Sequence, residues 1–269
     1  MGPTLPTAAG LAYREAGPSD GPVLLALHGY PESSYLFRHA LEAAGREGWR
    51  AIAPDLAGYG DSPAALPGTW RHHIDLVDDF HRELDLGPVV LVGHDWGGLI
   101  GLRWACEQPE AIAGLVVTST GFFPDGRWHG LARAMRSDQG EEVVGGATRE
   151  SFGQLIEPVC PGIEAATLDE FFKCFGDADR RQGQLDLYRS GEFAELEPYQ
   201  GQLGALGVPT LILWGAGDPF APEPGAHRFH AEIPHSEIVV LADTGHFLWE
   251  EAPGRSAEEL ARFLRSIGT

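Results

Sequence analysis

The stretch Val92-Gly93-His94-Asp95-Trp96-Gly97-Gly98 follows directly on the apolar run Pro88 to Val92. A short apolar, β-branched run that ends in glycines reads as a buried strand turning at once into a helix. Its small-x-nucleophile-x-small spacing is that of a nucleophile elbow, a tight turn that pushes the central side chain into a pocket. Gly93 and Gly97 are expected to let the backbone turn and to clear space that a Cβ would fill. The centre of such a turn is commonly serine, but here it is Asp95. A serine alkoxide attacks a carbonyl carbon. A carboxylate is better suited to displacing a leaving group from saturated carbon, giving an alkyl ester that water then cleaves.

Two further segments supply partners for Asp95. Val208-Pro209-Thr210-Leu211-Ile212-Leu213-Trp214 reads as a buried strand, and Gly215-Ala216-Gly217-Asp218-Pro219 as the turn after it. Asp218 is thereby placed at the carboxyl end of a strand, the edge where open α/β sheets carry their sites. Glu237-Ile238-Val239-Val240-Leu241 reads as another strand, and Ala242-Asp243-Thr244-Gly245-His246-Phe247 as the loop beyond it. His246 can reach Asp95 from that loop, with Asp218 fixing its tautomer. Asp243 is a rival for the orienting role and is also suited to capping its own loop. Among the eleven histidines, His246 stands out by strand-loop context and chain order. His28 and His94 read as core-packed residues. The His72-His73 pair has no third ligand at metal spacing.

Strand and helix signals alternate along the chain, as a parallel doubly wound sheet requires. Leu11 to Ala16 reads as an edge strand, and Val23 to Leu27 and Arg50 to Ala53 as short buried ones, separated by a helix starting near Ser33 or Ser34. Thr69 is a natural cap for a helix bearing Ile74, Leu76, Val77, Phe80 and Leu84 on one side. Gly97 to Glu107 is the expected elbow helix, and Gly114 to Thr118 the next core strand. From Phe122 to about Ala205 the pattern breaks into short helical stretches with no convincing strand. It resumes at Val208.

Composition narrows the function further. A chain of 269 residues can bury about three quarters of its unfolded surface, so a full core is available. A net charge of −20 argues against nucleic acid or an anionic membrane as partner, since both need a basic patch. No apolar run approaches ~18 residues and no basic-then-apolar leader is evident, so neither a membrane span nor a signal peptide is expected. Cys106, Cys160 and Cys174 lack metal spacing and read as free buried thiols of a reducing compartment. Cytoplasmic location is the expectation, and the sequence leaves oligomeric state open.

Taken together, these segments resemble the α/β-hydrolase superfamily, within it the aspartate-nucleophile enzymes, the haloalkane dehalogenases and epoxide hydrolases. The order nucleophile, acid, histidine matches that superfamily, and the resemblance covers nearly the whole chain. His28-Gly29-Tyr30-Pro31 is similar to the family's turn after its third strand. This implies that the backbone amide of Tyr30, with that of Trp96, forms the oxyanion hole. Pro54-Asp55-Leu56-Ala57-Gly58-Tyr59-Gly60-Asp61-Ser62 and Thr244-Gly245-His246-Phe247 resemble the family's fold-marking loop and catalytic-histidine loop. The resemblance implies an α/β fold with a mostly parallel doubly wound sheet. Its core is formed by 1–121 and 206–269, with 122–205 inserted as a helical cap. It implies Asp95, Asp218 and His246 as catalytic residues, no metal or organic cofactor, and a small apolar electrophilic substrate with water as partners.

The substrate depends on what stabilises the leaving group. Resembling dehalogenases hold the halide with a tryptophan after the nucleophile, which Trp96 matches, and a second donor. One position for that donor is occupied here by Tyr30, leaving Trp128 of the insertion as candidate. The dehalogenase subgroup with its acid after the sixth strand has glutamate there, whereas this chain has Thr118-Ser119-Thr120, so Asp218 is the acid. Epoxide hydrolases use two cap tyrosines. Tyr188-Arg189 resembles the second, but no tyrosine lies between Tyr59 and Tyr188 to be the first. Phe122 and Phe123 are further candidates for the pocket wall. The expected reaction is hydrolytic dehalogenation of a small haloalkane. Epoxide hydrolysis to a vicinal diol and a non-catalytic ligand-binding role on the same fold are the alternatives.

Overall fold

The computed structural model describes residues 4–268, in which eight strands form one sheet. They are β1 (Thr7–Ala8), β2 (Leu11–Ala16), β3 (Val23–Leu27), β4 (Arg50–Pro54), β5 (Val89–His94), β6 (Ile112–Thr118), β7 (Thr210–Gly215) and β8 (Glu237–Leu241). The spatial order is β1-β2-β4-β3-β5-β6-β7-β8. The first two strands run antiparallel to their neighbours, and every pairing from β4 through β3 to β8 is parallel. All residues of β3, β5 and β7 are buried, as expected of parallel strands covered on both faces. β8 ends the sheet and is largely half-exposed.

The helices of the first half are α1 (Arg38–Arg46), α2 (Trp70–Glu83) and α3 (Trp96–Glu107). The Thr69 side chain accepts the His72 amide at the start of α2, as its position predicted. Ile74, Val77 and Phe80 form the buried side of that helix. Between β6 and β7 the chain forms α4 (Gly130–Arg136), α5 (Gly140–Gly145), α6 (Arg149–Ile156), α7 (Ala165–Phe172), α8 (Ala178–Arg189) and α9 (Gln202–Ala205), with no strand. Then follow α10 (Pro224–Glu232), α11 (Leu248–Glu251) and α12 (Pro253–Ile267). No helix among the described residues is long and apolar enough to cross a membrane.

The inserted helices have no ladder to join, so side chains tie them to the sheet domain. Lys173, the only lysine of the chain, reaches Asp61 at 2.9 Å and Glu170 at 3.0 Å. Arg180 donates to the carbonyls of Gly58 and Gly60 at 3.2 and 3.0 Å. The Trp70 amide donates to the Ser190 hydroxyl at 2.8 Å, and that of Gly68 to Asp186 at 3.0 Å.

Candidate active site

Strand order decides where a cleft can open. β3 pairs with β4 on one side and β5 on the other, so the chain leaving β3 and the chain leaving β5 diverge. Such a switch point leaves a crevice at the carboxyl ends of the two strands. His28, Gly29 and Tyr30 follow β3, and Asp95 follows β5, so these residues sit at that crevice.

Asp95 itself makes the turn. Its φ is 49° and its ψ −122°, a conformation that L-residues rarely adopt. This corrects the expectation that Gly93 and Gly97 supply the unusual dihedrals, since neither has positive φ. They supply room instead. A Cβ on Gly93 would strike Gly98 of α3, and one on Gly97 would strike the carbonyls of Leu27 and His28. The elbow is held by the Asp95 amide donating to the Ser119 carbonyl (3.2 Å) and by Thr120 Oγ1 donating to the Asp95 carbonyl (2.7 Å). The Tyr30 amide donates to Asp95 Oδ1 at 2.8 Å. Trp96 is the first residue of α3, where a backbone amide has no partner within its helix.

His246 comes to Asp95 from the loop after β8, with Nε2 at 3.7 Å from Asp95 Oδ2. Its Nδ1 donates to Asp218 Oδ2 at 2.8 Å, and Asp218 Oδ1 accepts the amides of Phe220 and Ala221, both at 2.8 Å. Burial alone would raise the Asp218 carboxyl. The charge and hydrogen bond of His246, helped by the two amides, hold it below the ordinary value. Burial alone would likewise lower His246, but Asp218, then Asp95 and Glu32, bring it up to about 9. Asp243 is exposed, at φ 57°, and takes no part in orienting His246.

Two supports of this arrangement were not legible in the sequence. Glu251 accepts the amides of Gly245 and Phe247, at 2.8 and 2.9 Å, and so clamps the loop around His246. Below the imidazole, at a ring separation of 4.9 Å, lies His94, whose Nε2 is 3.1 Å from Glu32 Oε1. Both side chains are sealed from solvent. His94 Nδ1 faces Thr118 Oγ1 at 3.2 Å, and that hydroxyl donates to the Gly93 carbonyl, so it can only accept from His94. One proton must therefore lie between Nε2 and Glu32. Burial would raise Glu32, but His94 and then His246 keep it below the usual carboxylate value. His28 is saturated locally: Nδ1 faces the Gly29 carbonyl, and Nε2 accepts the Leu56 amide at 2.9 Å.

Two cavities, of about 320 and 280 Å³, meet at the elbow and share Asp95, His129, Tyr188 and Phe220. The larger is walled by Trp96, Trp128, Phe123 and Phe193, with Arg127 and Arg228 among its lining residues. The smaller is apolar, walled by Phe152, Ile156, Val159, Phe175 and Phe247. Trp128 stacks on Trp96 with ring centroids 5.6 Å apart, and its indole N–H is buried without a partner. Tyr188 is buried with its ring against Trp96 (5.3 Å) and Tyr30 (5.2 Å). Burial first, and the nearby charge of Asp95 second, push its phenol well above the ordinary value. Phe122 is a correction: it lies buried against Tyr199, outside both cavity walls, while Phe123 takes the wall position. Neighbouring residues on an extended stretch point to opposite sides, and the sequence did not say which side faces the cavity.

The family described as the alpha/beta hydrolase fold matches residues 22–157 and 164–253. The chain belongs to it, and is an enzyme of the α/β-hydrolase class. A haloalkane dehalogenase of Mycobacterium marinum is 31% identical over 270 residues, covering 92% of this chain and 86% of that protein. A loop variant of a haloalkane dehalogenase from Bradyrhizobium elkanii superposes with a TM-score of 0.80 at 25% identity, covering 97% of this chain and 95% of the other. An epoxide hydrolase from Vigna radiata gives 0.77 at 25% identity, with 96% of each chain covered.

Proposed function

We propose that the chain hydrolyses a carbon–halogen bond of a small haloalkane in two covalent steps. The Asp95 oxygen not held by Tyr30 attacks the sp³ carbon. The carbon–halogen electron pair leaves with the halide, towards the indole N–H of Trp96, and Trp128 is the candidate second donor. The product of this step is an alkyl ester of Asp95. His246, oriented by Asp218, then takes a proton from water as that water attacks the Asp95 carboxyl carbon. The amides of Tyr30 and Trp96 receive the oxyanion, which collapses as the departing alkoxide takes the proton back from His246 and leaves as the alcohol; the carboxyl left on Asp95 then loses its proton to solvent. Residues 122–205 act as the cap that keeps bulk water out of the cavity.

The observation that carries this reading is a carboxylate at the elbow. One of its oxygens sits on the Tyr30 amide and the other faces a histidine paired with a buried aspartate. The names of the similar proteins favour halide over other leaving groups. A second reading, epoxide opening, is supported by Tyr188, a neutral phenol shared by both cavities beside Asp95.

The test is intact mass of a His246→Phe variant incubated with haloalkanes and with epoxides. Removing the base stops the second step and leaves the ester in place. An added alkyl group without its halogen is the expected result. A gain of a whole epoxide mass would transfer the assignment to epoxides, and no adduct on either class would sink the Asp95 chemistry.

A further inference from the structure

One polar ring in the cavity is unused by the chemistry above. His129 precedes α4 and lines both cavities, a position it shares only with Asp95, Tyr188 and Phe220. Its Nδ1 accepts the Ala132 amide at 3.4 Å, capping the helix. A backbone N–H can only donate, so Nδ1 carries a lone pair and the proton of the neutral ring resides on Nε2. Burial, ahead of the opposing charge of Asp95, lowers its proton affinity, so the ring is neutral at pH 7. Among the described residues no hydrogen bond engages Nε2, and the ring rests against Phe220 at 5.1 Å.

We propose that His129, through its Nε2–H, donates a hydrogen bond to the departing halide, as a further polar contact to the leaving group from the segment between β6 and β7. This rests on Asp95 as nucleophile. The halide takes the electron pair of the broken carbon–halogen bond, and its charge grows in a cavity whose wall includes Trp96, Trp128, Phe193 and Phe220. A fixed donor aimed at developing charge lowers that barrier. His129 gives up no proton, since the halide leaves as an anion and the Asp95 ester is neutral. A neutral donor also lets the halide go afterwards, which a buried cation would resist. Trp128, stacked against Trp96 with its own indole N–H unpartnered, stays a separate candidate donor in the same cavity.

The test is a bromide titration of indole fluorescence on the whole protein, since Trp96 and Trp128 border the same cavity. His129→Phe removes both the donor and the helix cap. His129→Asn keeps a side-chain acceptor for the Ala132 amide but does not extend a ring N–H into the cavity. Both variants are expected to weaken saturable bromide binding at least tenfold. In a His246→Phe background both are expected to slow ester formation by about 100-fold, the size of one lost charge-stabilising donor. If His129→Asn binds bromide and alkylates like its parent, His129 is only a helix cap and the proposal fails. It also fails if the unmodified protein shows no saturable bromide site. If the His246→Phe parent forms no ester, the Asp95 chemistry is what falls. The bromide titration then judges His129 by itself.

Discussion

The sheet domain and the inserted helices are built by different means. In the sheet, position follows from hydrogen-bond register: β5 aligns residue by residue with β3, and with β6 from Val90 opposite Gly114 onward after one register shift, and its side chains are buried throughout. Asp95 directly follows β5, while Asp218 and His246 stand in the loops after β7 and β8, so the sheet brings all three to one edge and the loop hydrogen bonds finish their placement. The inserted helices are short and joined to the sheet domain by individual side chains such as Lys173, Arg180 and Ser190. The segment between β6 and β7 contributes Trp128, His129, Tyr188 and Phe193 to the cavity walls. In the proposed reaction, the groups that make and break bonds follow sheet strands, and the groups proposed to choose the substrate lie in the segment between β6 and β7.

That division can be broken experimentally, and the sharpest break would be at Asp95. Asp95→Ala should lower halide release by on the order of 10⁴-fold or more, by analogy with removal of other covalent nucleophiles. Activity close to that of the unmodified protein would show that the elbow carboxylate is not the reacting group.

Stability separates the two regions next. Ile212 in β7 is fully buried, so Ile212→Ala should cost about 2–5 kcal/mol in urea unfolding. Leu155 of α6 is 54% exposed at the wall of the apolar cavity. Leu155→Ala should stay within about 0.5 kcal/mol while changing KM for longer substrates. Equal losses at the two positions would contradict the picture of a rigid sheet and a permissive insertion.

Acidity tests the link between Asp95 and His246. In the free protein His246 is held at about 9, partly by the charge of Asp95. Alkylation removes that charge, so the imidazole of the ester form should lose its proton at lower pH. Because a base must be neutral to act, the rate of ester hydrolysis should rise about tenfold per pH unit and level off at a midpoint below 9. A single-turnover profile that fell with rising pH would exclude His246 as the base.

The smallest effect belongs to the ties between the regions. The Lys173–Asp61 pair has both side chains more than a third exposed or close to it, 33% and 44%. Lys173→Ala should therefore cost no more than ~1 kcal/mol, and the loss should shrink in salt. A loss of several kcal/mol would mean that the insertion is welded to the sheet rather than tethered.

The sequence by itself determined the alternation of strands and helices, the elbow, and the three residues brought together at the sheet edge. Buried parallel strands are written as continuous apolar runs, and residues directly after them must stand at one edge. Even there the detail differed: the strained dihedral falls on Asp95, and the glycines only make room. Legibility stopped where no ladder imposes register. Which of Phe122 and Phe123 meets the cavity depends on how an extended segment rotates as it leaves β6. His129 carries no signal at all, since a single histidine before a seven-residue helix resembles any surface residue. The same holds for the Glu32–His94 pair and the Glu251 clamp, whose partners lie on separate segments or around a loop. Contacts of that kind depend on how whole elements dock, and local hydrophobic pattern does not encode docking. Only the tertiary structure decided them.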